Sequence, residues 1–455
     1  MSHNTASRKL GYFSATAIII AVMIGTGVFT LTGFIAQNIS SQTLIIAAWG
    51  LGGVISLCGA LSYAELASYM PESGGEYYFL SRLMHPSIGF LSGWVSFIAG
   101  FSAPVAASAV ALGTYSSAFW NSINPISVAL ISVIILSIMH IIDTKFGSYI
   151  QNMLTLIKIL LIFFFISIGY FGASEKNVFM NNHENHFDAF FHEDFLASML
   201  LISYAYAGWN MAAYIGGEIK NPKKNLPLSL ITGTLFVAFI YILINIIYLK
   251  ILTINDIKGV LEIGYLSMKT LYGDSIGRWF SLGISIALIS MISALLMAGP
   301  RIYMMVGNDY KIFKLLSIKT SRDTPIISII LQASVAIILI ITMSYESLLY
   351  YIGFTLTIFS VLAVSCVFLL RANGHNSNFK TPLYPLVPLV FICSNLLILF
   401  YTIQKKPIES TIGFVTIVTG FIIYIFAKSY EQSSKTTYPQ KVAKSSYSNT
   451  TKSSK

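Results

Sequence analysis

Charge is what this sequence has least of. Only 10% of its 455 residues are Asp, Glu, Lys or Arg, and the acids are the scarcer kind, 18 against 28 bases. A soluble chain carries about a quarter charged residues, so a water-facing globular surface is excluded. Cysteine is nearly absent: Cys58, Cys366 and Cys393 each sit in an apolar segment, where an unpaired cysteine behaves as a small hydrophobe. They offer neither a disulfide framework nor metal-ligand spacing, and no cofactor motif stands elsewhere. No secretory leader is expected either. A short polar start runs straight into a full-length apolar segment without a small-residue cleavage pattern, which predicts a retained helix.

What fills the space is hydrophobic, 55% of all residues. Twelve stretches reach the roughly 20 apolar residues that a membrane-crossing helix needs. They run at about 12 to 36, 43 to 69, 87 to 118, 126 to 142, 148 to 172 and 195 to 217, then at about 226 to 251, 277 to 306, 325 to 343, 347 to 370, 384 to 403 and 409 to 427. The expected fold class is therefore an all-α integral membrane protein with twelve transmembrane helices, its main partner the lipid bilayer. The net charge of +10 belongs to the loops. With the N-terminus inside, 20 of the 28 Lys and Arg fall on the inner side, 7 fall outside and Lys158 lies within a span. Lys and Arg concentrate in cytoplasmic loops, so both termini are expected in the cytoplasm, and the charge is no footprint for nucleic acid. A plasma membrane, of the bacterial inner-membrane type, is the expected location.

Two apolar segments are broken by glycine: Ile24-Gly25-Thr26-Gly27-Val28-Phe29 in the first, and Tyr204-Ala205-Tyr206-Ala207-Gly208-Trp209 in the sixth. At membrane depth no water satisfies a freed backbone group, so an unwound stretch survives only where it lines a cavity or a ligand. Broken helices at corresponding places in two repeats point to a solute site between them. The bland alternative is close helix packing, for which transmembrane glycines are common; the pairing of the two breaks favours the site. The chain then divides into a segment 1–11, a first repeat 12–172, a loop 173–194, a second repeat 195–371 starting at the second break, an appended pair of spans 372–428 and a tail 429–455. Repeats of five spans must be inverted in the membrane. The segment 252–276 mixes Ile257, Val260, Leu261 and Leu266 with charges, which predicts a short amphipathic lid helix. The Ser, Thr, Lys and Tyr tail has too little apolar content to fold.

The residues around these breaks carry a family resemblance. Ile24-Gly25-Thr26-Gly27-Val28-Phe29-Thr30, Tyr63-Ala64-Glu65-Leu66, Pro71-Glu72-Ser73-Gly74-Gly75-Glu76-Tyr77, Gly208-Trp209-Asn210, Gly217-Glu218-Ile219-Lys220-Asn221-Pro222, Ala298-Gly299-Pro300-Arg301-Ile302-Tyr303 and Tyr384-Pro385-Leu386-Val387-Pro388 resemble, in order from about 10 to 425, the amino acid, polyamine and organocation superfamily of permeases. The branch of the L-type amino acid transporters and their bacterial relatives is the nearest in pattern. The resemblance implies a five-plus-five inverted-repeat fold like that of the sodium-coupled leucine transporter, with spans 1 and 6 broken and two helices added, working by alternating access. It implies that the N–H groups of Thr26 and Gly27, beside Gly25, hold a substrate carboxylate. The carbonyls of Met23 or Ile24, Tyr204 and Ala207 would hold its ammonium group, and the Tyr204 ring would close over the site. Ala205, Tyr206, Gly208 and Trp209 complete the expected binding stretch. Many relatives have Gly where this chain has Ala207.

Lys158 stands about a dozen residues from either end of its span, where a bare ammonium costs roughly 3 kcal/mol or more. Snorkelling to the interface is the competing reading. In sodium-independent members of the family a lysine at the matching position occupies the place of a sodium ion, near serines of the eighth span, here Ser290 and Ser293. That implies a sodium-independent carrier coupled to protons or to a counter-transported amino acid. Glu65, Glu76 and Glu218 fall at cytoplasmic span ends, where pairing with Arg82, Lys220 or Arg301 is the ordinary expectation, as is an interfacial place for His140. The spans hold no deep acid, which favours a neutral substrate, although the rings of Tyr204, Tyr206 and Trp209 are able to hold a cation. A cationic amino acid or polyamine antiporter is the alternative.

Other classes have weaker signals. Gly273-Asp274-Ser275-Ile276-Gly277 matches a nucleophile elbow but lacks the strand before and helix after in a soluble sheet. His183 with Asp188 has an acyltransferase spacing, and His183, His186 and His192 are nitrogen donors of the type zinc takes, yet all lie in one loop, where solvated histidines are the default. A permease-like sensor that binds without transporting is the remaining reading. The sequence predicts no catalytic residue, and no enzyme.

Overall fold

The structure is a computed structural model describing residues 8 and 10–449 apart from 121, 143, 173–185 and 321–323. Helices account for the architecture; among the described residues the only β-type pairing is an isolated bridge between Leu10 and Ile219. In chain order they are α1 (Tyr12–Met23), α2 (Gly27–Asn38), α3 (Gln42–Tyr69), α4 (Gly75–Leu83) and α5 (Pro86–Val95), which continues through a π-helical turn, Ser96–Ser102, into α6 (Ala103–Phe119). Next come α7 (Pro125–Ile142), α8 (Thr144–Gly172), α9 (His186–Ala189), α10 (Glu193–Tyr206), α11 (Met211–Tyr214) and α12 (Pro222–Ile251). The rest are α13 (Ile254–Ile257), α14 (Ile263–Tyr272), α15 (Asp274–Asp309), α16 (Ile326–Thr342), α17 (Tyr345–Ala372), α18 (Leu386–Lys405) and α19 (Pro407–Asn449).

Among the described residues, ten helical segments are long and apolar enough to cross a membrane, α1 with α2 making one of them. The two expected spans outside that set are α10 with α11, interrupted midway, and α16, which is 17 residues long. Both breaks foreseen at glycine are present. The outward sides of α7, α8 and α19 carry Ile135, Leu160 and Phe426, each more than half exposed. Such a rim is a liability in water and a solvated surface in lipid, where helices satisfy their own backbone groups. Inside, α2 is buried on every side from Gly27 to Gly33, so its neighbours, not lipid, determine its position.

The expected single lid helix is two. A capping box between Thr253 and Asp256 starts α13, satisfying two otherwise unpaired N–H groups. Gly259 at φ +73° then turns the chain, and its N–H donates to the Gly33 carbonyl at 2.9 Å, tying the turn onto α2. Helix α19 runs past residue 429, where composition predicts an unstructured tail, to Asn449.

Candidate functional site

The two breaks face each other across one cavity. Helix α1 ends at Met23 and α2 starts at Gly27, leaving the Thr26, Gly27 and Val28 N–H groups without a backbone acceptor among the described residues. Such unpaired donors, with the positive end of the helix dipole behind them, suit an anion. Helix α10 ends at Tyr206, and Gly208 follows at φ +104°, a conformation glycine adopts freely and other residues seldom. Three hydroxyls hold the breaks together. The Tyr204 and Thr26 hydroxyls are hydrogen bonded at 2.9 Å, and the buried Tyr241 hydroxyl donates to the carbonyls of Met23 and Ala205.

The cavity has a volume of about 130 Å³, about ten times what a single water needs, and so admits a small solute. Of the expected binding stretch, Met23, Gly25, Thr26, Gly27, Tyr204, Ala205, Ala207, Gly208 and Trp209 line it. Ile24 and Tyr206 stand behind the wall. Ile24 is buried, and the Tyr206 hydroxyl donates away from the cavity to the Trp49 carbonyl at 2.9 Å. Sequence reasoning missed Ser96, Gly100 and Phe101 on the π-helical turn, Met291 on α15 and Ser360 on α17, which also line the cavity. A π turn is frequent at functional sites, but nothing in the local sequence announces this one.

Lys158 does not snorkel. Its Nζ is buried and donates to the Ala21 carbonyl at 2.7 Å. Ala21 lies in the last turn of α1, and the Gly25 N–H that would close its helical bond goes to Met23 instead. The lysine thus places a cation donor at the C-terminal end of a half-helix, where orphan carbonyls and the dipole favour it. Ser290 and Ser293 divide their roles: Ser290 is hydrogen bonded to Thr155, one turn from Lys158, at 3.3 Å, and Ser293 to His140 Nε2 at 2.9 Å. His140 is fully buried, not interfacial, because α7 turns that face onto α15, and its Nδ1 has no partner among the described residues.

The three glutamates part company. Glu65 takes a bidentate pair from Arg371, both bonds 2.8 Å, and a 2.7 Å bond from the Thr381 N–H. Glu218 pairs with Arg301 at 3.4 Å, as expected. Glu76 has no basic partner among the described residues: its Oε1 accepts from Tyr63 (2.6 Å), Ser360 (2.9 Å) and Asn210 (3.0 Å), and it lines the cavity. Burial raises its pKa above the usual carboxylate value, opposed by those three donors. The spans lack a deep acid, but the cavity has one supplied from α4.

Among the described residues no rival site assembles. Ser275 opens α15 directly after α14, with no strand before it. His183 lies outside the described residues, and no cluster of three metal-ligating side chains occurs among those described.

A model of the amino acid permease family matches residues 10–427. The chain is 29% identical over 438 residues to the serine/threonine exchanger SteT of Bacillus subtilis, covering 94% of this chain and 99% of that protein. It is 26% identical over 440 residues to the b(0,+)-type amino acid transporter 1 of Mus musculus, covering 93% and 88%. It is 24% identical over 440 residues to the large neutral amino acids transporter small subunit 2 of Oryctolagus cuniculus, covering 94% and 82%.

Proposed function

The chain belongs to the amino acid permease family, a family of membrane transporters and not of enzymes, and from that premise we propose a sodium-independent carrier of neutral amino acids working by exchange or with protons. The observation that carries the reading is the pair of half-helix ends around one cavity, unpaired N–H groups at Thr26 and Gly27 opposite the helix break at Ala207 and Gly208. A zwitterion fits such a pair: its carboxylate at the positive helix end, its ammonium at the Ala207 carbonyl, which accepts no backbone bond among the described residues, whereas the carbonyls of Met23 and Tyr204 already accept from the Gly25 and Ala207 N–H groups. Lys158 on the Ala21 carbonyl places its amino group beside the unwound stretch, which supports sodium independence. A neutral side chain is favoured because the one acid of the cavity wall, Glu76, already accepts three bonds from the protein on one oxygen.

The relatives named exchangers and neutral amino acid transporters lend support to the same reading. Residues 12–172 and 195–371 are read as the inverted repeats, with both termini in the cytoplasm of a bacterial cell. Uptake of a labelled amino acid panel into sodium-free proteoliposomes tests the proposal. Uptake of neutral amino acids is expected, either into empty vesicles under an inward proton gradient or only into vesicles preloaded with amino acid. Stimulation by sodium would remove the role given to Lys158, and uptake confined to cationic amino acids or polyamines would sink the neutral assignment.

A further inference from the structure

Glu76 is the carboxylate that proximity in sequence pairs wrongly. Arg82, its near neighbour along the chain, lies over the Tyr78 ring, 5.6 Å from the centroid, and leaves Glu76 to groups that carry no charge. Those groups come from three different elements: Tyr63 from α3, Asn210 from the break between α10 and α11, and Ser360 from α17. The Tyr214 hydroxyl faces the carboxyl as well. The titratable groups facing Glu76 are therefore the phenols of Tyr63 and Tyr214, and no Lys, Arg or His is among its partners.

Two further features place the carboxyl where it is. Gly74 and Gly75 both have positive φ, so the chain turns sharply into α4, and the Gly74 N–H donates to the Tyr214 carbonyl at 3.1 Å. Glu76 then falls in the first turn of α4, where the helix dipole favours an anion. Bonds from neutral donors to an ionised acceptor are about twice as strong as neutral ones, so three of them on one oxygen bind α3, α4, α17 and the unwound stretch into a unit. Asn210 is two residues from Gly208, and both line the cavity. A change in the unwound stretch on binding or release has to pass through this knot.

We propose that Glu76 is a positioning residue, a charged lock that holds Asn210 and closes the cavity at the α4 end, and that protonating it loosens that end. The inference rests on the cavity being the substrate passage. All three bonds fall on Oε1, so a proton taken up on Oε2 leaves them in place but uncharged, at about half their strength. Because burial raises the carboxyl above the ordinary Glu value, loosening begins at milder acidity than for a solvated Glu.

The test uses the full chain in proteoliposomes, with Cys58, Cys366 and Cys393 changed to Ala and Leu356→Cys as a reporter in the cavity wall. The measurement is the rate of modification by a membrane-impermeant thiol reagent between about pH 8 and pH 5, divided at each pH by the rate for the same cysteine in the unfolded chain, which removes the loss of thiolate on acidification. The rate is expected to rise as pH falls. In E76Q it should be about tenfold faster at the alkaline end, the order of one lost charge-assisted bond, and flat with pH, while E76D keeps the pH dependence. Ser360→Ala, which removes one donor and leaves the carboxyl, should move the rate the same way by less and guards against an E76Q protein that fails to fold. A wild-type rate and pH profile in both E76Q and Ser360→Ala overturns the lock. So does an E76Q protein that loses affinity for cationic amino acids alone, since Glu76 would then be a substrate ligand. The readout needs no transport, so failure of the carrier reading in the uptake assay is a separate result.

Discussion

Gly27 and Gly208 are irreplaceable for different reasons. A Cβ on Gly27 would lie 2.7 Å from the Cα of Ala205, a backbone atom that no side-chain rotation relieves. Gly208 has a side-chain neighbour, Val22, but its decisive property is φ +104°, which costs a non-glycine residue about 1–3 kcal/mol. Gly27→Val and Gly208→Ala are expected to cut uptake at least about tenfold at unchanged membrane expression, the rate equivalent of that strain. Uptake within twofold of wild type in both would separate the breaks from the transport site. The glycines were legible because an interrupted apolar run has so few uses at membrane depth. The acceptor of Lys158 was not: Ala21 lies 137 residues away, and a buried ammonium states only that it needs an oxygen, not which one.

At the scale of elements, α3 and α17 are joined by a charge pair that sequence proximity did not propose. Glu65 is buried, Arg371 is a quarter exposed, and the guanidinium also lies 3.8 Å from the centre of the Tyr384 ring. Removing one member of a fully buried pair costs about 3–5 kcal/mol, less here because the Arg371 side chain is a quarter exposed, whereas replacing both by apolar groups of similar size is often close to neutral. Glu65→Gln alone should therefore lower the Tm of the purified protein more than Glu65→Gln combined with Arg371→Met. Equal or larger loss in the double variant would mean that the pair acts through its other partners, Thr381 and Tyr384. The three glutamates look alike in sequence, each at a span end near a base. Their different fates follow from which helix each one meets, and helix neighbours are a property of packing.

For the whole molecule, the asymmetry of Lys and Arg between alternate loops predicts one orientation. A protease-cleavable tag fused after Lys455 should be protected in intact right-side-out cells and removed after permeabilisation, and a tag before Met1 should behave the same way. Opposite behaviour of the two ends would require an odd number of spans, and removal of both from intact cells would invert the orientation and place the α4 end of the cavity outside. The lipid-facing sides of α7, α8 and α19 need no such test of class, since apolar side chains more than half exposed are incompatible with a water-solvated surface of that extent.

Class, approximate spans and the two broken helices could be read from the chain alone, because each depends on local composition: length of an apolar run, its interruption by glycine, the placing of bases between runs. The cavity could not. Which carbonyl Lys158 meets, why Tyr206 turns to Trp49 while Tyr204 turns to Thr26, and how Tyr63, Asn210 and Ser360 converge on Glu76 all depend on helices far apart in sequence packing side by side. Polar groups removed from water must find partners wherever packing puts them, and that requirement acts across space and leaves no periodic trace along the chain.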